Sequence, residues 1–150
     1  MKVYTHYLEE GACFRWRTLL QFGNTWDIIG SVVMKNPGTA APKCQVTDKN
    51  TLKLLSFFDN TMYDWFEFSP DSTMNCVGDL FAYYYDKSNK NDLQGVVQIF
   101  NLFYLREGDL GKALELHKKN KFPFASEEEI IQNDISQLKA PIYLGFAGLA

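Results

Sequence analysis

A chain of 150 residues with 46% hydrophobic and 15% aromatic residues fits one domain with a sizeable core, which excludes an intrinsically disordered protein. Its 15 basic and 18 acidic residues leave a net charge of −3, without the basic surplus that tight non-specific binding to duplex DNA uses. Cys13, Cys44 and Cys76 are scattered and form no CxxC pair, and no apolar run approaches the roughly 18 to 20 residues of a membrane span, so a soluble cytoplasmic protein without zinc, disulfide framework or membrane partner is expected.

Residues 3–22 mix aromatics and β-formers around Arg15, Trp16 and Arg17 and read as one or two strands. Residues 26–34 are the best strand. Its apolar, β-branched run stops at Asn36-Pro37-Gly38 and continues in small residues. Leu54, Leu55, Phe58 and Met62 then recur at helical spacing, which predicts a short helix over 48–58. Ser69-Pro70-Asp71 reads as the next helix start, with Ser69 as N-cap and Asp71 near the positive helix end; Met74, Val77, Phe81 and Tyr84 continue its inner face.

The polar stretch 86–92 is a loop. Val96 to Phe103, VVQIFNLF, predicts a strand covered on both faces. Leu110, Ala113, Leu114 and His117 follow at amphipathic-helix spacing, and Ser126 with Glu129 forms a capping box opening a helix whose inner stripe is Ile131, Ile135 and Leu138. Residues 141–150 read as a last buried strand. This order predicts a single α/β domain over 1–150, three-layer α/β/α, with a mostly parallel central sheet.

Parallel strands open onto a shared edge, where polar groups far apart in sequence converge. Asn36, Asn101 and Arg106 follow strands in this way, and Asp71 and Thr73 start a crossover helix. Asn36 suits holding a water, and Gly38 admits close backbone approach; Asn-Pro-Gly is equally ordinary turn chemistry. Asp71 either serves chemistry or simply favours the helix dipole. Asn101, inside an apolar strand, requires a partner. Arg106 either clamps an anion or pairs with a neighbouring carboxylate. Arg15 and Arg17, two apart, either form a basic pair on one face or line an exposed strand face. His6 and His117 look isolated. The Tyr83-Tyr84-Tyr85 run is able to stack on bases, although Tyr84 is expected in the core. Nucleotide-loop, serine-hydrolase elbow and zinc-protease motifs are missing, and no cofactor is expected.

Together, Phe14-Arg15-Trp16, the strand ending Asn36-Pro37-Gly38-Thr39-Ala40, the Pro70-Asp71-Ser72-Thr73-Met74 helix start and Asn101-Leu102-Phe103 with Arg106 resemble a bacterial and phage family, domain of unknown function 1643. That pattern is in turn similar to the uracil-DNA-glycosylase-like fold. The resemblance implies Asn36 and Asp71 as catalytic residues handling water. It makes Arg15, Pro37, Gly38, Thr39, Thr73, Asn101 and Arg106 ligand-binding, with a nucleotide-like molecule, single-stranded nucleic acid or flipped base as partner. The chain departs from the glycosylase pattern in showing no HPS-type loop near its end and no assignable catalytic base. The expected function is therefore binding or processing of a nucleotide-like ligand, extending to N-glycosidic hydrolysis, with a non-catalytic interaction protein of mobile-element or phage origin as the alternative.

Overall fold

Two long strands open the chain: β1 (Lys2–Glu10) and β2 (Ala12–Phe22), joined at Gly11, whose φ of 70° is a left-handed conformation that glycine adopts at no steric cost. The computed structural model describes residues 1–35, 37–59, 63–107, 109–120, 123 and 125–145, and of Leu110 and Glu127 the backbone alone. The elements that follow are β3 (Ile28–Met34), β4 (Pro42–Gln45), α1 (Lys49–Leu55), β5 (Trp65–Phe68), α2 (Ser72–Tyr84), β6 (Gly95–Asn101), α3 (Leu110–Lys119), α4 (Glu127–Gln137) and β7 (Ile142–Gly145).

The described strands form one seven-stranded sheet in the order β4-β5-β1-β2-β6-β3-β7. Among the described residues four of its six pairings are antiparallel, and only β6, β3 and β7 run parallel. The mostly parallel sheet expected from the element order is thus corrected to a mixed, mainly antiparallel one. The long helical connections do produce parallel neighbours, β3 to β6 through α2 and β6 to β7 through α3 and α4. The error lies in the first half of the chain. There β1 and β2 form a hairpin, and β4 and β5 are four residues each, too short to display a period.

Strand residues alternate between core groups, as a pleat requires. Val3, Leu20, Val32 and Val97 pack with Met74, Val77 and Phe81 of α2, whereas their neighbours Tyr4, Leu19 and Val96 pack with Leu55 of α1. Phe14, Trp16, Tyr104 and Leu105 form a third group with Ala113 of α3 and Ile130 of α4. Backbone bonds tie this group together: the Arg15 N–H donates to the Tyr104 carbonyl at 2.9 Å and the Arg106 N–H to the Cys13 carbonyl at 2.8 Å, flanking a bridge between Phe14 and Leu105.

One irregularity in β2 matters for function. Tyr4 lies opposite Leu19 but His6 lies opposite Trp16, so Thr5 of β1 faces both Arg17 and Thr18. Arg17 takes a φ of 53°, and the Thr5 hydroxyl fills the gap by donating to the Trp16 carbonyl at 2.9 Å. Alternation slips by one there. Arg15 and Thr18 therefore face the α2 side of the sheet, while Trp16 and Arg17 face the other. Neither sequence reading of these arginines survives: they share no face, and both are buried, Arg15 at 4% and Arg17 at 6% exposure.

Local corrections have local causes. The N-cap of α2 is Asp71 rather than Ser69, because Asp71 Oδ1 accepts the Met74 N–H at 2.8 Å while the Ser69 N–H donates to Ala41, extending the sheet. Met74, Val77 and Phe81 are buried as expected, but Tyr84 is 62% exposed. The Ser126–Glu129 capping box forms, yet α4 is turned about its axis relative to the predicted stripe: Ile130 is buried and Asp134 half-buried, and Ile131 and Ile135 face solvent. Strand β7 is an exposed edge, not a buried strand; the rest of the predicted segment, 146–150, lies outside the described residues, as does Met62.

The turned face of α4 is checkable. Ile130→Ala should destabilise by about 2 to 4 kcal/mol in urea unfolding, whereas Ile135→Ala should stay within about 0.5 kcal/mol of wild type. Equal losses would restore the predicted stripe.

Candidate functional site

A cleft of about 420 Å³ lies where β3, β6 and β7 end and α2 begins. The parallel trio delivers Lys35 just past β3, Asn101 at the end of β6 and Gly145 at the end of β7, and α2 adds Asp71 and Thr73 from its first turn. Arg15 and Thr18 rise from β2, Gly38 and Glu107 enter from loops, and Met34, Met74 and Ile99 form an apolar part of the wall.

Arg15 dominates the site electrostatically. It is buried, its guanidinium carbon lies 5.5 Å from the centre of the Phe68 ring, and its Nε and Nη1 have no hydrogen-bond partner among the described residues. Burial pushes its pKa down to about 10, Asp71 works against that shift and Arg106 adds to it; at neutral pH the group is a cation. A buried donor without an acceptor costs on the order of 1 to 3 kcal/mol, more when charged. Such a cation beside a cleft favours an anion placed there.

Asn101 was expected to have a partner. Its buried side chain has no hydrogen bond among the described residues and opens into the cleft, offering a donor and an acceptor. Asp71 divides its carboxylate. Oδ1 caps α2, and Oδ2 faces Gly38 so closely that a Cβ there would lie 3.2 Å away. Glycine at 38 leaves that oxygen accessible.

Of the other sequence-predicted site residues, Pro37, Thr39 and Arg106 fall outside the lining. Arg106 pairs with no carboxylate among the described residues: its Nε donates to the Ala40 carbonyl and its Nη2 to the Thr39 carbonyl, both at 3.0 Å. It holds the loop that carries Gly38. Pro37 is buried and its carbonyl accepts the Glu107 N–H, and Thr39 is exposed. Asn36 lies outside the described residues. Lys35, Glu107, Tyr143 and Leu144 line the cleft unpredicted; Lys35 carried a readable signal, its place directly after a strand. Among the described residues no group of three or more His, Cys, Asp or Glu side chains is arranged to hold a metal ion.

The arrangement offers a buried cation, a second cation at Lys35, a two-way amide, carboxylate acceptors and an apolar wall. That set suits an anionic group joined to a body with polar edges. Replacing Arg15 with the apolar isostere, Arg15→Met, should raise unfolding free energy by on the order of 1 kcal/mol, since it removes unpaired buried donors. Asp71→Ala should lower it by about 0.5 to 2 kcal/mol and Asp71→Asn much less, because asparagine also caps. Chemical denaturation measures all three, and a destabilised Arg15→Met would show that the guanidinium is compensated. No protein-family model, curated protein or solved structure matches the chain.

Proposed function

We propose that the protein binds a nucleotide-like ligand, or a nucleotide unit of single-stranded nucleic acid, in this cleft. The observation that carries the reading is Arg15, a buried guanidinium that lines the cleft and has two nitrogens without a partner among the described residues. In the bound state the phosphate takes Arg15 and Lys35, and Asn101 reads a polar base edge with its donor and acceptor. Met34, Met74 and Ile99 contact the ring. The net charge of −3 accords with a ligand held by a few local cations rather than along a basic surface.

Two extensions rest on the same reading. The alternate packing of α1 and α2 supports helices on both faces of the sheet, the three-layer arrangement of the uracil-DNA-glycosylase-like and domain of unknown function 1643 resemblance. Asp71 Oδ2, left for the cleft by the cap geometry, supports hydrolysis of an N-glycosidic bond, with Asp71 and Asn36 handling the water. The interaction-protein alternative is favoured by one observation, the exposed Ile142, Tyr143 and Leu144 on edge strand β7.

Titration calorimetry with the common nucleoside monophosphates and a short single-stranded oligonucleotide tests the binding reading. At least one should bind, with Arg15→Met weakening it tenfold or more. Wild type that binds none, or Arg15→Met that binds equally well, removes the proposal. If the ligand is also hydrolysed, chromatography should detect free base with wild type and a loss of at least a hundredfold in Asp71→Asn, which keeps the helix cap.

A further inference from the structure

The bulge in β2 places a second buried arginine over a second cavity on the opposite face of the sheet. This cavity, about 400 Å³, lies between the sheet and α4. Arg17 donates from Nη2 to the Phe58 carbonyl at 3.2 Å and lies 5.0 Å from the centre of the Phe100 ring, while its Nε and Nη1 have no partner among the described residues. Asp59 and Asp134 both line the cavity and both support the guanidinium's charge against burial, yet among the described residues neither forms an ion pair with it.

Each carboxylate is instead anchored from behind. The Tyr104 hydroxyl donates to Asp134, at 2.9 and 3.1 Å from its two oxygens. Asp59 Oδ2 lies 3.0 Å from His6 Nε2, and His6 Nδ1 donates to the Asp64 carbonyl at 3.0 Å. His6 is completely buried against Trp65, with ring centres 3.9 Å apart, so the sequence impression of an isolated histidine is corrected. Aromatic faces complete the wall: Trp16 stacks on Tyr104 at 5.8 Å and meets Tyr63 edge-on at 5.4 Å.

We infer that this cavity binds a small zwitterion carrying both a carboxylate and a primary ammonium, the chemical class of the free amino acids. The arginine needs an acceptor, and the carboxylates with the aromatic wall suit an ammonium group, which gains from charge and from the ring faces alike. Opposite charges lining one cavity select for a ligand that carries both. An anion alone adds a negative charge beside Asp59 and Asp134, and a cation alone adds a positive charge beside Arg17. The volume, at the low end for small-molecule sites, fits a metabolite of this size.

The test is a calorimetric titration of the full chain with the twenty common amino acids singly, with acetate and propylammonium as the two separate halves. At least one amino acid should bind, and each half should bind at least tenfold more weakly. Arg17→Met and Asp134→Asn should each weaken binding tenfold or more, and Tyr84→Ala, at an exposed position of α2 on the other face, should not. Two variants are used so that loss of fold in one, read by circular dichroism, leaves the other informative.

Affinity should fall as pH drops from 8 to 5. Burial pushes the Asp134 carboxyl up to about 6, with the Tyr104 bond and Arg17 drawing it back and Asp59 pushing it further; Glu129 and the His6–Asp59 pair complete the charged groups around it. Below that pH the carboxylate becomes a neutral acid. If no amino acid binds wild type, if either half binds as tightly as the best amino acid, or if both cavity variants bind normally, the assignment is wrong.

Discussion

Alternation along a strand sends residues two apart to the same face, and the left-handed backbone of Arg17 breaks that rule in the middle of the sheet. Had β2 run regularly, Arg15 and Arg17 would crowd one side and repel each other there. The bulge separates them across the sheet, so each face receives one buried guanidinium. A non-glycine residue in that backbone region carries strain of about 1 kcal/mol or more. Thr5, bonded to Trp16 and 3.0 Å from the Thr18 hydroxyl, supplies the local support that holds it.

Each side then builds differently around its cation. On the α2 side the neighbours come from the ends of parallel strands and a helix start, with Arg106 acting at a distance by fixing the backbone at Thr39 and Ala40. On the other side they come from α4, the segment after α1 and the segment after β6, which bonds back to the start of β2. A strand-edge crevice and a helix-covered cavity thus share β2 as their common wall.

Legibility in the sequence followed the range of the interaction. Gly38, Asp71, Thr73 and Asn101 line one cleft because their placement depends only on strand ends and a helix start around three parallel strands, which survive although most of the sheet is antiparallel. The capping box at Ser126 is local and was readable. The bulge was not, since nothing in Arg15-Trp16-Arg17 marks an extra residue until β1 is laid beside it. The His6–Asp59 contact spans 53 positions and joins residues that look solitary in the chain. Ile131 and Ile135 misled because an apolar stripe was assumed to face inward, whereas α4 presents Ile130 and Asp134 to Trp16 and Tyr104.

Two buried guanidinium groups whose Nε and Nη1 have no partner among the described residues also bear on how long such a chain survives in a cell. A domain of this size has a folding free energy of about 5 to 15 kcal/mol, and each unsatisfied group removes on the order of 1 to 3 kcal/mol of it. A ligand that accepted from these nitrogens would hold the folded chain shut by mass action and lower its exposure to proteases. On the proposed binding readings, abundance of this protein would then track the supply of whatever satisfies Arg15 and Arg17.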